Sequence, residues 1–127
     1  MKKKIIGIMG GLTIDVHEID GVAVIALEGE IDVYNSEEIK KIIDEYKERQ
    51  VFNVLLNFDK VTYLDSSTIS ILLSESEQLK NQKGALKILN LKGNAKKIFE
   101  LAKICKLFEI FKDEQKALKS FKHKKRK

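Results

Sequence analysis

Short apolar runs alternate with amphipathic helical stripes along most of this chain, and that alternation limits the folds open to it. Residues 12–19 alternate, with Leu12, Ile14 and Val16 facing one way. Asp20-Gly21 is a hairpin signal. Residues 22–28 read VAVIALE, a strand with Val22, Val24 and Ala26 on one face and Ala23, Ile25 and Leu27 on the other. Asn35 or Ser36 then caps a helix, with Glu37 and Glu38 in the first turn, where the helix dipole favours acids. Ile39, Ile42, Ile43 and Tyr46 form its apolar stripe. The run VLLNF within residues 51–58 predicts a buried strand. Asp65 caps a second helix with Ile69, Leu72, Leu73 and Leu79 inward. Gly84 ends the connection, and residues 85–91 form another strand. A third helix is expected over 94–104, with Ala95, Ile98, Phe99 and Ala102 inward. A short strand at 108–111 and a helix at 114–121 complete the order β-β-α-β-α-β-α-β-α. This order predicts an α/β layer structure with a largely parallel or mixed sheet and right-handed crossovers.

At 127 residues the chain is one domain long, and 43% apolar residues are enough for a core. One cysteine, Cys105, excludes an internal disulfide and suits a reducing, cytoplasmic compartment. The formal charge of +5 comes from the ends. Setting aside Lys2, Lys3, Lys4 and the six basic residues of 119–127 leaves 15 basic residues against 19 acids, a body of about −4. Direct nucleic-acid binding by the body is therefore not expected. Residues 1–11 are read as an N-terminal extension, 12–121 as the domain and 122–127 as a basic tail. The lysines and the apolar run 5–9 superficially resemble the start of a signal peptide, but the run is short and no small-residue cleavage site follows. No stretch reaches the roughly 18 apolar residues of a membrane span.

Catalysis has little support. The histidines, His17 in an early strand and His123 in the tail, are not placed beside Cys105 or any serine. Cys105 reads as a packing residue. Metal-ligand spacing is absent, and no cofactor is expected. Gly10-Gly11 lacks the signature of a phosphate loop and is expected to follow no strand. Glu28, Glu30 and Asp32 do not by themselves make an acid–base site.

The informative segment is 61–73, VTYLDSSTISILL. A strand leads through a turn into a helix, with Asp65, Ser66, Ser67 and Thr68 at the join. A hydroxyl here can simply cap or solvate the helix. It can also carry a phosphate, which adds about −1.5 to −2 charges at pH 7. A helix N-terminus offers free N–H groups and positive potential, so the fold tolerates the charge while a docked surface does not.

Gly29-Glu30-Ile31-Asp32-Val33-Tyr34, between strand and helix, resembles the "GEID" element of STAS domains in anti-sigma-factor antagonists. Residues 61–67, VTYLDSS, resemble the phosphorylation segment of the same family. The two stand in the family's order, and the resemblance covers roughly 12–121. It implies a mixed sheet of about four to five strands with about four helices, mainly on one face. It implies partner switching: the unphosphorylated protein binds an anti-sigma factor, often itself a serine kinase, and frees the sigma factor. The kinase modifies the serine after the motif aspartate, here Ser66, and a serine phosphatase reverses this. Glu30, Asp32, Asp65, Ser67 and Thr68 are the partner-binding residues this implies, and the protein is a substrate and binder, not an enzyme. One departure is that Thr68-Ile69-Ser70 stands where the family usually has Gly-Leu-Gly. An alternative is therefore a non-phosphorylated STAS adaptor or scaffold subunit of a signalling or lipid-transport complex.

Overall fold

The computed structural model describes the backbone of residues 4–9 and 11–122, and side chains over 11–121. Six strands form one mixed sheet in sequence order: β1 (Lys4–Met9), β2 (Leu12–Ile19), β3 (Val22–Ile31), β4 (Asn53–Leu64), β5 (Ala85–Leu89) and β6 (Ile110–Phe111). The first three pair antiparallel, and β3 through β6 pair parallel. Helices α1 (Ser36–Glu48), α2 (Ser66–Asn81) and α3 (Gly93–Leu101) each return the chain from one end of the parallel strands to the other. Helix α4 (Glu114–Lys122) follows β6. This is the expected α/β mixed sheet with four α-helices.

The cores explain why β3 and β4 read as apolar on both faces. Ala23, Ile25 and Leu27 pack with Val54, Leu56 and Phe58 under α1, α2 and α3. Val22, Val24 and Leu55 face the other way, against Ala117, Leu118 and Phe121 of α4. Three helices thus share one face and one covers the other. Each fully buried Leu, Ile or Phe contributes about 1.5–3 kcal/mol relative to exposure. The α4 face has far fewer such residues, so α4 is the more weakly held layer. Buried Lys87 helps pin it, bonding Ser120 Oγ at 2.8 Å with its ammonium 4.5 Å from the Phe121 ring centre.

Several details depart from the sequence expectations. Lys4–Met9, in the expected N-terminal extension, is a strand paired with β2. Gly10-Gly11 therefore does follow a strand, but a hairpin and no helix comes after it. Strand β4 runs on to Leu64, so the strand at 51–58 and the start of the serine segment are one element. Helix α3 stops at Leu101, because the chain turns left-handed at Lys103 (φ 60°). Ala102, expected inward, is exposed, and Ile104 enters the core instead. The last strand, expected over 108–111, is the two residues Ile110–Phe111, and a 3-10 turn at Cys105–Leu107 precedes it.

Candidate functional site

The two motifs meet where β3 and β4 end side by side. Glu30 pairs with Tyr63 and Ile31 with Leu64, and the Asp65 amide donates to the Ile31 carbonyl at 3.2 Å. The strands reach this register through irregularities at 26/28 and 29/30. Gly29 is required there. It sits at φ 111°, and a Cβ on it would lie 2.0 Å from the Gly11 carbonyl oxygen.

The loop after β3 is built around Asn35 and Asp32. Asn35 is fully buried; its Nδ2 donates to the Glu30 carbonyl at 3.0 Å, and its Oδ1 accepts the Asp32 amide at 2.9 Å. Asp32 Oδ1 accepts the amides of Tyr34 and Asn35 at 2.9 and 3.1 Å. These bonds satisfy the backbone of a tight turn and hold it in one shape. Asn35 was legible as a helix cap, yet its side chain makes no cap bond; it works backwards into the loop. The loop presents Val33 and Tyr34 to solvent, Tyr34 with 87% of its surface exposed, and Tyr63 is exposed on the neighbouring strand. Sequence reading gave these three no role. The signal was an apolar pair between strand and helix that fits the stripe of neither.

Asp65 holds the second loop. Its Oδ1 accepts the Ser67 amide at 3.1 Å, the Ser67 hydroxyl at 2.6 Å and the Thr68 amide at 3.4 Å. Partial burial pushes its pKa up, but the bonds from the Ser67 hydroxyl and from the Thr68, Ser67 and Val33 amides outweigh this, so the carboxyl titrates below its ordinary range. The Val33 amide ties the two loops together. The Ser67 and Thr68 amides, expected to be open to a phosphate, are taken by Asp65.

The predicted residues then fall into three situations. Ser66 and Glu30 are exposed, and Asp32, Asp65 and Ser67 are half-buried. Thr68 has 1% of its surface exposed, with Oγ1 3.5 Å from Asp65 Oδ1, so it supports the loop from inside and offers little to a partner. Ser67 has committed its hydroxyl to Asp65, while Ser66 stands at the rim of the helix. Among the described residues, no cluster of three His, Cys, Asp or Glu side chains could hold a metal. His17 lies on β2, and Cys105, between α3 and β6, packs partly buried against the main core; His123 lies outside the described residues.

The family model described as "STAS domain" matches residues 13–117. This chain belongs to the STAS family. Among curated relatives of this STAS chain is the anti-sigma F factor antagonist of Paenibacillus polymyxa, 22% identical over 108 residues, spanning 84% of this chain and 92% of the relative. SpoIIAA, an anti-sigma factor antagonist solved in its unphosphorylated form, superposes with a TM-score of 0.77 at 21% identity, covering 87% of this chain and 96% of that one. An anti-sigma factor antagonist from Mycobacterium paratuberculosis gives a TM-score of 0.77 at 22% identity, over 87% and 94%. At this identity the superpositions establish the STAS fold. No helix of the described residues is long and apolar enough to cross a membrane.

Proposed function

We propose that this STAS protein is a cytoplasmic anti-sigma factor antagonist whose binding is switched by phosphorylation of Ser66. The observation that carries the reading is the placement of Ser66: exposed, in the first turn of α2, beside a rigid loop with exposed Val33, Tyr34 and Tyr63. Aromatic side chains on a preorganised loop are what protein interfaces use as anchors. Glu30 and Asp32 form the acidic border of that surface. The chemistry is binding, not catalysis: the serine accepts a phosphoryl group from a kinase, an anti-sigma factor in this reading, and a serine phosphatase removes it.

The hydrogen bonds favour Ser66 over Ser67 as acceptor, because Ser67 donates its hydroxyl to Asp65. They also supply a mechanism for release. A phosphate on Ser66 meets Ser67 and Thr68 amides already bonded to Asp65, so it stays solvated beside that carboxylate. Docking a partner would then desolvate a phosphate without compensating bonds, and the interface opens while the fold stays. SpoIIAA, similar in fold, has itself been solved in a phosphorylated form.

The test is incubation with the host's anti-sigma kinase and ATP, with the phosphate located by mass spectrometry. Phosphate on Ser66, lost in Ser66→Ala, supports the reading. No phosphate, with a kinase that modifies other antagonists, points to the adaptor alternative, which Thr68 and Ser70 in place of small glycines favour. In that case Ser66→Asp retains full activity.

A further inference from the structure

The two helices that leave the site loops meet again further along, on an ion pair. Ser36 starts α1 just after the Tyr34 turn, and Ser66 starts α2. Lys47 lies eleven residues beyond Ser36, about 17 Å along α1, and Glu75 lies nine residues beyond Ser66, about 14 Å along α2. There the Lys47 ammonium crosses to Glu75 Oε1 at 3.0 Å and to Gln78 Oε1. Asp44 holds the ammonium from its own helix: Oδ1 is 2.9 Å from Lys47, and Oδ2 accepts from Lys40 at 2.9 Å. Beside the pair, Asp44, Lys47 and Glu48 of α1 line an open cleft with Gln78 and Asn81 of α2.

Stability is a poor reason for this arrangement. Glu75 is fully buried, and its Oε2 has no hydrogen-bond partner. Desolvating two such charges offsets their attraction, and apolar residues of similar volume stabilise a fold as well or better. What the apolar layer lacks is direction. Ile39, Ile42 and Ile43 of α1 share one core with Ile69, Leu72 and Leu79 of α2. Cores of this kind tolerate repacking and lose uniqueness before they lose stability. A hydrogen-bonded ion pair is less forgiving, since a shift of about 1 Å takes such a bond out of range.

We propose that Lys47 and Glu75 are positioning residues: their bond fixes α1 against α2 and so sets the spacing between the Tyr34 turn and Ser66. Each loop is then held on both sides. At the strand ends the Asp65 amide bonds the Ile31 carbonyl at 3.2 Å, and behind the loops the pair keys the two helices together. The register is a property of the fold, whereas its effect on binding rests on the proposed use of Tyr34 and Ser66 as one docking surface. A preset spacing relieves a docking partner of ordering two separate elements.

The test compares the wild type with the double variant Lys47→Met, Glu75→Leu, and with Glu75→Gln, which keeps an oxygen for Lys47 to bond and leaves Asp44 as its counter-charge. Spin labels on Glu37→Cys and Ser70→Cys, exposed positions near the starts of α1 and α2, read the spacing by double electron–electron resonance in a Cys105→Ser background. The wild type and Glu75→Gln should give one narrow distance. The double variant, melting close to the wild type, should give a distance shifted or broadened by at least about 1.5 Å, one residue of helix rise. Unlabelled, it should bind the host's anti-sigma factor about tenfold more weakly than the wild type or Glu75→Gln. An unchanged distance in the double variant overturns the proposal, as does equal broadening in Glu75→Gln. Altered spacing with unchanged affinity overturns the link to docking. Should the double variant fail to fold, Glu75→Leu alone decides: Lys47 keeps Asp44 and Gln78, and an unchanged spacing again overturns the proposal. Absence of binding by every form removes the docking reading and leaves the spacing to decide the register.

Discussion

Replacing Lys47 by Met should destabilise the domain more than most single changes outside the apolar core. Lys47, in the last turns of α1, reaches Glu75 Oε1 on α2 at 3.0 Å and Asp44 Oδ1 at 2.9 Å, and also bonds Gln78. Glu75 is fully buried, and its Oε2 has no hydrogen-bond partner. Burial raises the Glu75 pKa, bonding to Lys47 opposes that, the Asp44 charge adds to the rise, and the net direction is up. Lys47→Met keeps the aliphatic bulk and removes the counter-charge, stranding a buried carboxyl. Breaking such a pair costs about 3–5 kcal/mol. At just under about 4 °C per kcal/mol for 127 residues, the melting point should fall by at least about 11 °C. The loss should be smaller in acid. A carboxyl with a raised folded pKa takes up its proton more readily folded than unfolded, so stability is recovered as pH falls through that pKa. The double variant Lys47→Met, Glu75→Leu should return close to the wild-type melting point, because an apolar pair of similar volume replaces the ions. Urea denaturation at pH 5 and pH 8 with thermal melts decides it. A single-variant loss under about 1 kcal/mol at pH 8 would refute the reasoning, as would a double variant no better than the single.

Three further outcomes follow from the site and the sheet. Asp65→Ala should cost about 1–2 kcal/mol as a lost helix cap; in the wild type the folded pKa lies below the ordinary 3.8, so the cap's contribution is complete above that value and fades as pH falls through the depressed one, read by urea melts from pH 6 to pH 2. Gly29→Ala should cost at least about 3 kcal/mol, since a Cβ would lie 2.0 Å from the Gly11 oxygen at a φ that side chains disfavour; a soluble variant melting within 3 °C of wild type would contradict the geometry. Lys87→Met should leave the main core intact and speed amide exchange in α4 selectively, because the bond to Ser120 and the contact over Phe121 go with the ammonium.

The order of elements from β2 onward and the apolar stripes of α1 and α2 were readable because each rests on a local period. Ile39, Ile42, Ile43 and Tyr46 are all buried at the spacing that named them, and Asp65 caps α2 as its position before the hydroxyl run implied. The third stripe ran one turn too far. A left-handed Lys103 carries no sequence mark like that of glycine, so Ala102 was placed inside a helix that had already ended. The site was legible in its residues but not in its contacts. Thr68 looked like surface because it is polar, and the structure buries it under Asp65. Asn35 looked like a helix cap, and it is the peg of the preceding loop.

The central claim is tested most directly by titrating the host's anti-sigma factor with this protein, unmodified and stoichiometrically phosphorylated on Ser66. The account predicts tight binding by the unmodified form and at least about a tenfold loss with the phosphate, equivalent to 1.4 kcal/mol, with both forms equally folded. Equal affinity of the two forms would contradict it.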